Sequence, residues 1–244
     1  MSIALVTGAS RGLGFATARA LAKTGNCVIL TGRDQDRTDA AAAALRDEGL
    51  DAQALPLDVD VPSSIAAAAE HVERKHGRLD VLVNNAGVLP EATDTTEHDF
   101  ADPQVFQATF ATNLFGAVAV TEAFLPLLRR SAMGRIVNVS TTMGSLNDQA
   151  DPDSPYYQMI VPAYQASKAA LNSVTISLAK KLGDTDIKVT SVCPGFVQTD
   201  LTPVNREQAP LTADQAATII ATAATLPSDA PSGRFVDQNG LVAW

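Results

Sequence analysis

Short apolar runs rich in Val, Ile and Leu recur along the chain at 3–7, 27–31, 53–57, 79–83, 135–140 and 187–193. Between them lie longer segments in which apolar residues return every three or four positions, at roughly 12–24, 35–48, 63–76, 99–129, 162–182 and 212–226. The first pattern predicts strands and the second predicts amphipathic helices. Strands that read as continuous apolar runs are buried on both faces, which calls for a parallel sheet with helices on either side. Right-handed crossovers then make this a doubly wound α/β fold. Gly25, Gly49, Gly77 and Gly183 each follow a helical segment, where a left-handed cap is wanted. No linker or composition shift interrupts the alternation, so residues 1–244 are expected to form one domain. The most loop-like stretch is 144–162, with its acidic residues and prolines.

Composition narrows the partners. The chain is 46% hydrophobic and 18% charged, with a net charge of −9. No basic run exceeds Arg129-Arg130 or Lys180-Lys181, both near predicted helix C-termini, so no nucleic-acid partner is expected. The apolar segment 114–128 is broken by Glu122 and Pro126, short of the ~20 residues a membrane span requires. Met1-Ser2 runs straight into a strand with no signal peptide, and a soluble, cytoplasmic protein without membrane contact is expected. Cys27 and Cys193 fall in predicted strands and read as buried thiols. His71, His76 and His98 read as surface residues, and no cluster with metal-ligand spacing is expected.

The turn Thr7-Gly8-Ala9-Ser10-Arg11-Gly12-Leu13-Gly14 joins the first strand to the first helix. Glycines there permit a tight bend and close approach of a pyrophosphate, which the helix N-terminus attracts. At the end of the second strand Arg33 follows Gly14 by 19 residues, where an NAD site would carry an acid. Arg33 and Arg11 facing one ribose suit a 2′-phosphate and favour NADPH over NADH. The alternative leaves Arg33 solvated and gives the ribose hydroxyls of NAD to Asp34. Tyr164 and Lys168, one helical turn apart, share a face, and the ammonium is expected to lower the phenol pKa from ~10 toward the range of acid–base work.

Asp58 after the third strand, Asn84-Asn85-Ala86-Gly87 after the fourth, Asn113 in the long helix and Pro194-Gly195 after the sixth complete an ordered series. Together with the glycine turn and the Tyr164/Lys168 pair, the chain resembles the short-chain dehydrogenase/reductase family over essentially its whole length. Leu30-Thr31-Gly32-Arg33-Asp34, Leu57-Asp58-Val59-Asp60 and Gly233-Arg234-Phe235-Val236 look closest to its carbonyl-reductase-like branch. The resemblance implies a Rossmann-type sheet of seven strands in the order 3-2-1-4-5-6-7, which keeps Cys27 and Cys193 apart. It places Gly8, Ser10, Arg11, Gly12, Leu13 and Gly14 on the pyrophosphate side and Asp58 and Val59 at adenine. Asn85, Ala86 and Gly87 would flank the adenosine ribose, unless Asn84 and Asn85 merely tie down the strand exit. Pro194, Gly195, Val197 and Thr199 would close over the nicotinamide.

The implied chemistry is hydride transfer to a carbonyl, with Tyr164 as proton donor and Lys168 holding the nicotinamide ribose and tuning the phenol. Asn113 would anchor a proton-relay water; the plainer reading is a helix residue bonded to its own backbone. The catalytic hydroxyl falls on Thr141, with Ser140 as the alternative. Thr141 and Tyr164 stand further apart than is usual in the family, so 144–162 is expected to line or lid the substrate site together with 196–211. The plainer alternative for 144–162 is a passive surface loop. Met143, Tyr157 and Phe196 are candidates for an apolar pocket wall. In relatives of this branch an insertion at that place obstructs the usual helix-bundle interface, so a monomer and a homo-oligomer both stand. The reading is an NADPH-dependent reductase of aldehydes or ketones, reversible in principle. Its rivals are an NAD(H)-dependent alcohol dehydrogenase of the same family, a dinucleotide-binding sensor without turnover, and a purely structural protein.

Overall fold

The computed structural model describes residues 1–244. Its parallel strands are β1 (Ile3–Val6), β2 (Cys27–Gly32), β3 (Ala52–Pro56), β4 (Val81–Asn84), β5 (Arg135–Val139), β6 (Lys188–Val192) and β7 (Arg234–Asp237). They run in the order β3-β2-β1-β4-β5-β6-β7, as expected. An eighth strand, β8 (Gly240–Leu241), was not expected; it pairs antiparallel with β7. The Asn239-Gly240 step makes that hairpin possible, because Gly240 sits at φ 120°.

Alternate residues of each strand face opposite layers. Ala4, Val6, Val28, Leu30, Val83 and Val137 pack under α1 (Gly12–Lys23), α2 (Gln35–Asp47) and α9 (Ala213–Ala224). Leu5, Ile29, Leu82 and Ile136 pack under α3 (Pro62–His76) and α5 (Ala117–Leu128). Both faces are therefore closed, and the two edges that remain for chemistry are the strand ends. Cys27 and Cys193 are buried and unpaired.

The long helix begins at 103, four residues later than the sequence pattern suggests, because Asp102 caps it and Pro103 opens it. It comprises α4 (Pro103–Phe110), one π turn (Ala111–Gly116) and α5 without a break, 26 residues in all. By length and hydropathy this helix is sufficient for a membrane span, contrary to the sequence reading, which saw only the interrupted stretch 114–128. In the fold α5 packs beside β4 and α3. Gly25, Gly49 and Gly77 adopt the left-handed conformation after their helices, but Gly183 does not. Helix α7 (Pro162–Lys181) is instead closed by the amide of Leu182 bonding back to Leu178 and that of Gly183 bonding back to Lys180. The segment 144–162 is partly ordered into α6 (Leu146–Ala150), and 196–211 contains α8 (Pro203–Gln208). His98 is exposed, whereas His71 and His76 are half-buried; His76 faces Gln53 at 3.3 Å, and burial lowers its pKa.

Candidate active site

The glycine turn is shaped by contacts that leave no room for side chains. A Cβ on Gly14 would lie 2.4 Å from the Gly8 carbonyl oxygen, and Gly8 and Gly12 sit at φ 63° and 56°. Helix α1 then starts after Arg11 with no side chain capping its free N–H groups and no acid in its first turn. That combination fits an anionic diphosphate. Asn85 donates to the carbonyls of Thr7 (2.8 Å) and Gly8 (3.2 Å), while the Thr7 hydroxyl accepts from the amides of Asn85 and Ala86. The Asn85 side chain is thus spent on holding β1 to β4, and Ala86 and Gly87 are what that exit offers a nucleotide. Asn84 is buried, donating to Thr121 and Asn138, so it belongs to the core.

The acidic alternative for the ribose is occupied. One carboxylate oxygen of Asp34 accepts the Arg37 amide and so caps α2; the other lies 3.1 Å from the Arg37 guanidinium. Arg33 is exposed and engages no carboxylate. Arg11 departs from the expected pairing with Arg33. Its guanidinium donates to Asp200 at 3.0 Å, and Asp200 also binds Arg206. These guanidiniums, Arg206 first, hold the Asp200 carboxyl below its usual pKa. The pair pins 196–211 to the glycine turn; a Cβ on Gly12 would stand 3.5 Å from the Thr199 methyl. Val197 bridges Leu211, and the Asn205 side chain donates to the Val197 carbonyl, so the segment closes on itself. Pro194 and Gly195 turn the chain into it, with Gly195 at φ 86°. Asp58 and Val59 leave β3 in a turn in which Asp58 accepts the Asp60 amide; the Val59 carbonyl lies against Gly116. Ser10 and Leu13 are half-buried in the turn, Ser10 beside Gly32.

At the other end, α7 carries Tyr164 and brings Lys168 to the end of β5. Lys168 is 4% exposed and donates to the Val139 carbonyl at 2.8 Å. Burial lowers its ammonium to about 8. The nitrogen lies 5.8 Å from the centre of the Tyr164 ring, over its face. Tyr164 is 8% exposed, and its hydroxyl is not among the sealed polar atoms that lack partners. Contrary to expectation its phenol is raised, because burial disfavours the phenolate and the Cys193 sulfur adds to the rise.

Asn113 lies in the π turn, buried, and does not bond its own helix. Its amide accepts from the Val88 N–H (2.8 Å) and donates to the Val88 carbonyl (2.9 Å) and to the Ser167 hydroxyl (3.1 Å). A wider turn is the local distortion that lets a helix present one side chain out of phase. Gly87 brings this group and Lys168 together: its Cβ position is 3.3 Å from the Asn113 oxygen and 3.6 Å from the Lys168 nitrogen. Thr141 caps the turn 142–144 by accepting the Met143 amide at 3.2 Å, which leaves its hydroxyl proton to donate elsewhere. Ser140 is sealed, and its oxygen has no partner. Met143, within that turn, is buried, whereas Tyr157 and Phe196 are exposed on their two segments. The segment 144–162 is held at three points: Gln149 donates to the Met143 carbonyl, Asn147 to the Trp244 carbonyl and Gln165 to the Met159 carbonyl.

The sequence missed Glu91, whose carboxylate accepts both the Ala163 and Tyr164 amides. It also missed Asp200, Ser167 and the Val88 backbone, whose bonds to Arg11 and Asn113 span 189, 54 and 25 positions and leave no local signal. Against the expectation of no metal cluster, Asp94, His98 and Asp102 bring three ligand-type atoms within 4.8 Å of one another. Asp94 and His98 are exposed and pair with each other, and the half-buried Asp102 caps α4, so local bonds account for them.

Comparison with known proteins agrees with this arrangement. The chain is 34% identical to a (+)-neomenthol dehydrogenase of Arabidopsis thaliana, over 95% of this chain and 94% of that protein. It is 30% identical to a carbonyl reductase [NADPH] of Mus musculus, over 99% and 98%. The fold superposes on the NADPH-bound carbonyl reductase from chicken fatty liver with a TM-score of 0.84 at 27% identity, covering 100% of this chain and 98% of that one. Residues 2–210 match the family model for short chain dehydrogenases, and the chain belongs to that family.

Proposed function

We propose that the protein is an NADPH-dependent reductase of aldehyde or ketone carbonyls. The observation that carries the reading is the Tyr164 phenol: buried, held on a rigid helix under a buried ammonium, with a hydroxyl that is not sealed in. Bound NADPH supplies the hydride at the carbonyl carbon. The glycine turn and the uncapped start of α1 receive its diphosphate, and Arg33 receives the 2′-phosphate. Commitment of both Asp34 oxygens to Arg37 and its amide speaks against an NADH-specific site.

The carbonyl oxygen gains negative charge as the hydride arrives and needs donors already in place. Tyr164 gives its proton to that oxygen, and the Thr141 hydroxyl orients it by a second hydrogen bond. A phenol raised by burial is fully protonated at neutral pH, which suits the donor role in the reducing direction. Lys168, held by the Val139 carbonyl, restores the proton through its own ammonium, and Asn113 fixes the wall of that path. Tyr157 and Phe196, exposed on the two flanking segments, give the entrance an apolar character suited to aliphatic or aromatic carbonyls.

The test is a panel of carbonyls and alcohols followed at the nicotinamide absorbance band with both cofactors. Turnover with NADPH is expected, and Tyr164→Phe is expected to lose at least about 100-fold in kcat with nucleotide affinity kept. Undiminished turnover in that variant refutes the mechanism.

A further inference from the structure

We propose that Glu91 is a positioning residue: it anchors the first turn of α7, and so Tyr164, to the strand exit that faces the cofactor. The role in turnover rests on the reductase reading above; the anchoring does not. Every helix begins with N–H groups that have no partner inside the helix. In α7 the residue before the helix is Val161, which has no side-chain acceptor, and Pro162 has no N–H. Gln165 makes the first backbone bond, to the Val161 carbonyl. The two donors left are the amides of Ala163 and Tyr164, and both are taken by Glu91, at 2.9 and 2.8 Å. A carboxylate at this end of a helix also meets the positive end of the dipole.

These bonds close a ring. Asn113 grips both backbone groups of Val88 and donates to Ser167. Ser167 donates to the Tyr164 carbonyl at 2.8 Å. The Tyr164 amide donates to Glu91, and Glu91 returns to Val88 through Leu89 and Pro90. Both backbone groups of the proton donor are thereby fixed by side chains from outside the regular helix ladder. Glu91 touches no reacting atom in this arrangement. Its effect passes through the position of Tyr164, where a displacement near 1 Å is enough to cost about 100-fold in rate.

Glu91→Ala and Glu91→Gln are compared with the wild-type chain by hydrogen exchange and by kinetics. In Glu91→Ala, exchange is expected to rise at 163–164 while the separately capped α9 is unchanged. Its kcat is expected to fall at least about tenfold, with the dissociation constant for NADPH within about threefold of wild type. Glu91→Gln keeps one acceptor oxygen, enough for one of the two amides, and is expected to recover part of kcat. Unchanged exchange at 163–164 overturns the anchoring, whatever the turnover. Full kcat in Glu91→Ala overturns the role in catalysis. So does a parallel fall of kcat, nucleotide affinity and melting temperature that glutamine does not rescue, since that marks a general structural cap. Absence of carbonyl reduction by the wild-type chain itself refutes the reductase reading, and the exchange data then decide the anchoring alone.

Discussion

Replacing Lys168 by Met should make the protein more stable and inactive at the same time. The ammonium is held at about 8 against an ordinary 10.5, and burial is the cause. A difference of that size between folded and unfolded chains corresponds to about 3 kcal/mol of destabilisation at neutral pH. Methionine has nearly the same length and no charge to desolvate, but it abandons the bond to the Val139 carbonyl. Leaving that acceptor unmet costs about 1–3 kcal/mol. The net expectation at pH 7 is a gain near ~1 kcal/mol, or about 2–4 °C in melting temperature for a chain of this size.

The pH dependence is more discriminating than the absolute value. Below pH 8 both states carry the proton, and the full cost stands. Between pH 8 and 10.5 the folded chain releases the proton first, the unfolded chain binds more protons, and wild-type stability rises. The advantage of Lys168→Met should therefore shrink by about 2 kcal/mol from pH 7 to pH 9.5 and change sign, as urea titrations at the two pH values would reveal. Carbonyl reduction should fall at least about 100-fold at both. An advantage that stays constant with pH, or a variant as active as wild type, refutes the assignment of Lys168 as a buried, strained acid in the proton path.

Arg33→Ala should lower kcat/KM with NADPH at least tenfold relative to NADH, about 1.4 kcal/mol of lost discrimination; an equal fall with both cofactors removes the 2′-phosphate role. Thr141→Ala should lower kcat by about 10–100-fold while Ser140→Ala changes it little, because Thr141 is half-buried with a hydroxyl proton to give, whereas the Ser140 hydroxyl is sealed in. The reverse order in steady-state assays moves the catalytic hydroxyl to Ser140.

The alternating pattern made the sheet legible because a strand buried on both faces has no choice but to be apolar throughout, as in Val28–Leu30 and Ile136–Val137. The glycine turn was legible for a related reason: backbone approaching backbone excludes every other residue at Gly14. Glu91 and Asp200 were not, since Glu91 meets Tyr164 across 73 positions and Arg11 meets Asp200 across 189. Nor was the direction of the Tyr164 shift. Spacing places an ammonium beside the ring, but only the fold decides that both side chains are buried and that desolvation raises the phenol. The π turn was also hidden, because nothing in Ala111-Thr112-Asn113-Leu114-Phe115-Gly116 separates a wider turn from an ordinary stretch of the same helix.

That π turn sets a different tolerance for gaining and losing residues. A π turn holds one residue more than the surrounding ladder requires. Deleting a single residue between Ala111 and Gly116 would let the helix heal into a regular α ladder, with α4 and α5 still long enough to fold. The same deletion would rotate the Asn113 amide away from Val88 and Ser167. At most places along a buried helix an indel is judged first by folding. Here a chain shortened by one codon would keep its shape and lose its chemistry, so stability alone would be a poor guide to which length variants of this helix remain enzymes.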